Sequence, residues 1–466
     1  MANSLYLLGA KEGTEKVKSG EISALEWARA CIERIQKVDS TIQAWASFDE
    51  KKFVDQAQTI DRKLRTIRQS GASESPLGML CGVPVGVKDI FNTSDMPTCM
   101  GSPIWEGFTP GNDARTVFYL RQADAVIAGK TVTAEFAVHT PGKTTNPYNP
   151  EYSPGTSSSG SAAAVASFMV PLALGTQTAG SIIRPSSYCG IYGFKPTFGL
   201  IPRTGTLKTT DSLDTIGVMA RNVDDLELIF ETVRVHGENY PMVHTLLDIP
   251  KNQNKKTERW KVGLVTSSLR VWEKTAPYAR VMLEDFSDSL AKNGTGIDLE
   301  ALVLPSEFNN AHNIHSIIYD KTLSYYFKEE FKQHTLVSEI MYKIISRGQQ
   351  ISVEQYQEAL EKQNSLSQKL DEIFEHYDVI LTLSTAGQAP KGGAEDMPDS
   401  CLIWTLCGIP SMNLPLFKSP EGLPFGAQIV SKRYRDKTLL NFARYIEKLF
   451  PEMTSVSPPN REALIS

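Results

Sequence analysis

Residues 153–196 read S-P-G-T-S-S-S-G-S-A-A-A-V-A-S-F-M-V-P-L-A-L-G-T-Q-T-A-G-S-I-I-R-P-S-S-Y-C-G-I-Y-G-F-K-P. Two Ser/Gly clusters, Gly155 to Ser161 and Gly175 to Ser181, flank an Ala/Val segment that is expected to form one buried helix. Glycine allows positive φ and close backbone approach, so several N–H groups can converge on one point with short hydroxyls beside them. A flexible Gly/Ser linker is the bland alternative. It fits poorly, because the segment is apolar and no charged residue occurs from Ser153 to Ile183. The stretch reads as a binding or reaction centre.

Outward from it, strand and helix patterns alternate. Upstream, Ser23 and Glu26 form a capping box for an amphipathic helix, a charged helix covers Lys51 to Arg68, and Val83, Val85 and Val87 alternate as a short strand that Pro84 places at an edge or a start. A helix over Asp113 to Gln122 and a strand over Ala125 to Lys130 follow. Downstream come a helix from Asp224 to Val235, a strand over 260–265, a helical section from about Ala276 to Tyr377 broken near Asn293 and Pro305, and a strand at Val379. This alternation predicts an α/β layered fold. Residues 237–258, polar and turn-rich, read as a surface insertion.

With 41% hydrophobic and 22% charged residues and a net charge of −5, the composition is that of an ordinary globular protein without a basic footprint for nucleic acid. The six cysteines show no C-x-x-C pair and no zinc-ligand spacing with His. No signal segment or membrane span is evident at sequence level, so a cytoplasmic location is the expectation.

Several motifs lead nowhere. The two G-K-T triplets lack the upstream glycine of a phosphate-binding loop, and neither G-x-G-x-x-G nor G-x-S-x-G occurs. Ser289 and Lys292 match S-x-x-K but sit at a helix end, and His312, His315 and Asp320 could touch a metal only with a further ligand that nothing fixes. Neither a metal nor a cofactor is expected.

An activated serine needs a base, and lysine serves only when neutral. Its ordinary pKa of ~10.4 leaves about one molecule in a thousand neutral at pH 7.4, whereas burial lowers it by up to ~3–5 units. Lys88, set between Val87 and Ile90-Phe91, is the best-placed candidate.

The ordered blocks G-V-P-V-G-V-K-D, N-P-Y-N-P, S-P-G-T-S-S-S-G-S-A-A-A-V-A, P-L-A-L-G-T-Q-T-A-G-S-I-I-R-P and C-G-I-Y-G-F-K-P-T-F-G resemble the amidase signature family of Ser-cisSer-Lys amidohydrolases. The likeness continues through D-S-L-D (211–214) to G-I-P-S-M-N-L-P and G-L-P-F-G-A-Q. It implies one large domain over residues 1–466, a central twisted mixed β-sheet covered by helices on both faces, a catalytic core over 80–220, and a helical section, 276–377, capping the substrate pocket. It also implies Ser181 as nucleophile, Ser157 on a cis peptide as the bridging serine, Lys88 as base, and the N–H groups of Thr178, Ala179, Gly180 and Ser181 as oxyanion hole. The neighbouring Ser158 and Ser159 are expected to cap backbone groups. Three departures stand out: Gly155-Thr156 replaces Gly-Gly, Gln177 replaces an aspartate, and Ile183 replaces an arginine, with Arg184 displaced by one. A charged brace for the loop is therefore absent or rearranged, and hydrogen bonds from Gln177 are its candidate substitute.

By the same resemblance Met100, Thr131, Tyr148, Ile403 and Trp404 are candidate substrate contacts, and their apolar character suggests an aryl or alkyl acyl group. The first expectation is a stand-alone amidohydrolase for a small, largely apolar carboxylic amide, with aryl carbamates (urethanes) or esters within its chemistry. Its partners would be that small molecule and at most a second copy as a homodimer, with no nucleic acid and no membrane. The alternative is a glutaminase-type A subunit of a tRNA-dependent amidotransferase. Residues 340–378 lack the tyrosine-rich, lysine-containing motif expected of such a protein, which favours the first.

Overall fold

A computed structural model describes residues 2–70, 77–237, 259–266, 270–392 and 400–459. The valine alternation becomes strand β2 (Pro84–Lys88), preceded by β1 (Trp45–Phe48) and followed by β3 (Val126–Thr131), β4 (Leu172–Gln177), β5 (Tyr192–Lys195) and β6 (Thr215–Ala220). The C-terminal half adds β7 (Trp260–Leu264), β8 (Ile297–Ala301), β9 (Val379–Leu383), β10 (Ser411–Lys418) and β11 (Pro424–Val430). Together they form one 11-stranded sheet in the order β1-β3-β2-β4-β6-β5-β10-β11-β9-β7-β8.

The sheet is mixed. β2 runs parallel to β3 and β4, and β7 parallel to β8 and β9, while the central pairs from β4 through β11 are antiparallel. Every residue of β2, β3, β4, β5, β6, β9 and β11 is buried. Strands of that kind need cover on both faces, and helices supply it in a single α/β domain.

Pro84 opens β2, as a residue without an N–H should, yet the strand lies inside the sheet. The capping box at Ser23 and Glu26 is present on the helix Ala24–Ile42. The charged helix spans Glu50–Ser70.

Two expectations are corrected. The Ala/Val segment is not one helix: a helix at Ser159–Ala166 ends at Ser167, and β4 starts at Leu172. Phe168 between them takes φ 60°, and Pro171 directly precedes the strand. The helical section contains the helices Pro277–Asn293, Ala311–Tyr326, Glu339–Gln350 and Val353–Ile373, but β8 interrupts it. That strand is short, partly exposed and paired in parallel at the sheet edge, so its hydrophobic signal is weak. The stretch read as an insertion falls, from residue 238 onward, outside the described residues.

Candidate active site

Lys88 is the last residue of β2, and Gln177 is the last residue of β4. These strands are parallel neighbours, so their C-terminal ends open on the same edge of the sheet, where α/β proteins build their sites. Lys88 is fully buried. Its Nζ lies 2.9 Å from Ser157 Oγ, 3.0 Å from Ser158 Oγ and 2.8 Å from Thr176 Oγ1. Loss of water around the ammonium drives its pKa well below the ordinary lysine value, with the charge of Asp214 pulling the other way.

A neutral amine has two N–H groups and one lone pair, which matches three hydroxyl neighbours. Ser158 donates to the Thr176 carbonyl at 3.2 Å, so towards Lys88 it can only accept. That leaves the lone pair free to receive the proton of another hydroxyl, and Ser157 is suitably placed.

The first Ser/Gly cluster is held by backbone packing. Gly155 has φ 91° and lies against Pro185, where a Cβ would come within 2.5 Å of the Pro185 Cα. Thr133 Oγ1 donates to the Ser157 carbonyl at 2.9 Å. No peptide bond among the described residues is cis, which corrects the expectation at Ser157. A cis non-proline bond is disfavoured by ~3–4 kcal/mol, and the trans chain already brings Ser157 to Lys88. In the helix that follows, Gly160 approaches Val132 so closely that a Cβ would meet its N at 2.3 Å. Ser158 caps the Thr176 backbone as expected but also touches Lys88, and the buried Ser159 Oγ has no hydrogen-bond partner among the described residues.

The second cluster ends β4 with Gly175 to Gln177, and residues 178–182 form the loop that leads to the helix Ile183–Tyr188. Gln177 Oε1 accepts the N–H groups of Ile182 and Ile183 at 2.8 and 3.0 Å. Its Nε2 donates to Thr405 Oγ1 at 2.8 Å, and that hydroxyl donates to the Ala179 carbonyl at 2.6 Å. An uncharged network thus does the bracing where an aspartate and arginine are missing. Arg184, displaced by one residue, donates its backbone N–H to Gly180 O at 2.8 Å and packs its guanidinium beside Gly180. Ser181 is half-buried, whereas Ser157 is sealed off.

From the helix Ala311–Tyr326, His315 reaches the same loop: its Nε2 donates to the Thr178 carbonyl at 2.8 Å. The ring is buried and stacked on Tyr319, and desolvation pushes its pKa down to about 4. Thr178 Oγ1 donates to Asp214 at 2.8 Å. The metal reading of this region fails, because Asp320 pairs with Arg347 at 2.9 Å and no group of three ligating side chains forms among the described residues. Lys292, of the S-x-x-K match, is exposed at its helix end.

Sequence reasoning missed Thr176, Thr405 and the true role of His315. Only His315 carried a signal, as a histidine on the buried face of a helix. Of the candidate substrate contacts, Thr131, Ile403 and Trp404 are all but fully buried and Met100 is 9% exposed. Thr131 Oγ1 bonds Ser161 Oγ at 2.7 Å, and Tyr148 sits with its hydroxyl beside Gly190. The apolar side chains of Met100, Ile403 and Trp404 belong to the continuous core.

A family model described as Amidase matches residues 26–440. The A subunit of the glutamyl-tRNA(Gln) amidotransferase of Streptomyces avermitilis is 32% identical, over 96% of each chain. Among solved structures, the corresponding A subunit from Thermotoga maritima superposes with a TM-score of 0.76 at 26% identity, over 98% of each chain. A peptide amidase from Stenotrophomonas maltophilia, with a TM-score of 0.81 at 24% identity over 97% of this chain and 98% of its own, shares the fold.

The likeness to the amidotransferase A subunits overturns the expectation of a stand-alone hydrolase for a small apolar amide, and with it that of a chain whose reaction involves no nucleic acid. The inference from charge overlooked that a chain working beside others in a complex needs no basic face of its own. No helix among the described residues is long and apolar enough to cross a membrane.

Proposed function

This chain belongs to the amidase family, and from that premise we propose that it is a glutaminase-type A subunit of a tRNA-dependent amidotransferase. It hydrolyses the side-chain carboxamide of glutamine and releases ammonia to partner chains, which use it on a tRNA-borne glutamyl group. One observation carries this reading: the 32% identity to a protein of that name across 96% of both chains.

The buried cluster supports the chemistry. Ser181 Oγ attacks the carboxamide carbon as its proton passes to Ser157, whose own proton passes to the neutral Lys88 amine. The oxyanion that forms is held by N–H groups of the 178–181 loop. Gln177 occupies the donors of Ile182 and Ile183 and so leaves this role to the ones before them. The tetrahedral species collapses with cleavage of the C–N bond. The proton returns through Ser157 to the departing nitrogen, ammonia leaves, and a glutamyl ester remains on Ser181. Water, activated by the same relay, then hydrolyses the ester to glutamate and regenerates the serine.

The test is ammonia release by the purified chain, alone and co-expressed with the partner subunits of its own genome. Glutamine is set against aryl amides, anilides and carbamates. Glutamine turnover that rises with the partners supports the proposal. Turnover of the apolar amides with glutamine untouched under both conditions would sink it.

A further inference from the structure

The carbonyls of Thr178, Ala179 and Gly180 are three consecutive acceptors, and each has a different donor. His315 Nε2 binds the first at 2.8 Å, Thr405 Oγ1 the second at 2.6 Å and the Arg184 N–H the third at 2.8 Å. In a trans peptide the C=O and the following N–H point in opposite directions in one plane. Fixing these three carbonyls therefore fixes the directions of the Ala179, Gly180 and Ser181 N–H groups, each away from its carbonyl's anchor.

We infer that His315 and Thr405 are positioning residues that aim the oxyanion donors of the nucleophile loop, one from the helical section and one from the short helix Cys401–Leu406. This rests on the acyl-enzyme reading of Ser181 given above. Neither residue touches the reacting atoms in this account. The Arg184 donor comes from the loop's own helix, so it forms with the local chain, whereas the other two arrive only when distant parts of the molecule pack.

Each anchor has features suited to the task. His315 is buried, and a ring nitrogen facing a carbonyl must carry the hydrogen, which fixes the Nε2–H tautomer. The stacked Tyr319 ring fixes its orientation. Thr405 has one hydrogen to give, and the Ala179 carbonyl at 2.6 Å is a closer acceptor than the Cys401 carbonyl of its own helix at 3.0 Å. The hydroxyl also accepts from Gln177 Nε2, so Gln177, which holds Ile182 and Ile183 as well, keeps it turned to the loop. The helix Ala311–Tyr326 packs against the helix Cys401–Leu406, so the two anchors belong to one packed unit.

The experiment compares His315→Leu with His315→Gln, and Thr405→Val with Thr405→Ser, where the second of each pair keeps a donor. Two readouts are taken: kcat and KM for glutamine, and the rate at which a fluorophosphonate labels Ser181. The fluorophosphonate places its P=O in the oxyanion site whatever the natural substrate is. A mis-aimed donor set is expected to slow labelling and lower kcat about 10- to 100-fold with KM within about twofold, and the donor-keeping variants to recover most of the loss. Wild-type labelling rates in His315→Leu and Thr405→Val would overturn the inference, as would equal losses in both members of each pair. If wild type is labelled at Ser181 yet leaves glutamine untouched with its partners present, the glutaminase reading fails and the labelling rates still decide the role of the anchors. If His315→Leu does not fold, the threonine pair decides in the same way.

Discussion

Lys88 Nζ lies 2.9 Å from Ser157 Oγ, with the lysine fully buried and the serine 1% exposed. Burial drives the lysine pKa well below its ordinary value and so favours the neutral amine that the proposed relay requires. Replacement by alanine should lower kcat by about 10²–10⁴-fold. Lys88→Arg keeps a cation but never a lone pair at working pH, and should be as inactive. Because the neutral form is required, kcat/KM should fall as pH drops through the depressed lysine pKa. The acid limb of the pH profile should therefore sit well below 10.5. A limb near the ordinary lysine value, or an active arginine variant, contradicts this.

Gln177 holds three hydrogen bonds at the foot of the 178–181 loop. Gln177→Leu leaves the buried N–H groups of Ile182 and Ile183 unpaired, at about 1–3 kcal/mol each. Denaturant melts should show that loss alongside a fall in kcat. Gln177→Glu still accepts both N–H groups and should retain much more of the stability. Equal stability of the leucine and glutamate variants would show that this brace does not hold the loop.

His315 is held neutral, with a folded pKa of about 4 against 6.5 when free. Between these values the unfolded chain binds more protons, so stability should fall as pH drops from 6.5 towards 4, by about 3 kcal/mol in all. Asp39, raised to about 6 by burial, acts in the opposite direction over part of that window. The readout is therefore the difference in urea unfolding between wild type and His315→Gln at pH 7 and pH 5. A difference that does not change with pH contradicts the buried neutral histidine.

Gly160 has no room for a side chain: a Cβ would stand 2.3 Å from Val132 N and 2.5 Å from Ala44 O. These are backbone atoms and do not swing aside. Gly160→Ala should cost about 1–3 kcal/mol and pull Ser157 away from Lys88, lowering thermal stability and kcat together. An unchanged melting temperature would contradict the packing described.

The reach of the sequence follows from where each signal lives. Lys88, Ser157 and Ser181 lie in contiguous motifs, and the alternating valines before Lys88 mark its strand and its burial. Gln177 stood out as a departure, and its bracing role could be framed from side-chain chemistry alone. Thr405 and His315 could not be found that way, because tertiary packing alone carries them to a loop more than a hundred residues distant in the chain. Trp404 and Ile403 lie in the continuous core, so their apolar character alone does not single them out as substrate contacts. β8 escaped notice because a half-exposed parallel edge strand leaves little periodicity. The absence of a tyrosine-rich, lysine-containing motif over 340–378 weighed against the amidotransferase reading, and full-length likeness to proteins of that name outweighs it.

The central proposal is an acyl-enzyme at Ser181 formed from glutamine, and rapid acid quench followed by peptide mass spectrometry tests it most directly. With partner chains present and glutamine in excess, the peptide containing Ser181 should carry one glutamyl group during turnover. The adduct should disappear in Ser181→Ala and fall sharply in Ser157→Ala. Glutamine turnover with no adduct on that peptide, or with the same adduct persisting in Ser181→Ala, would contradict it.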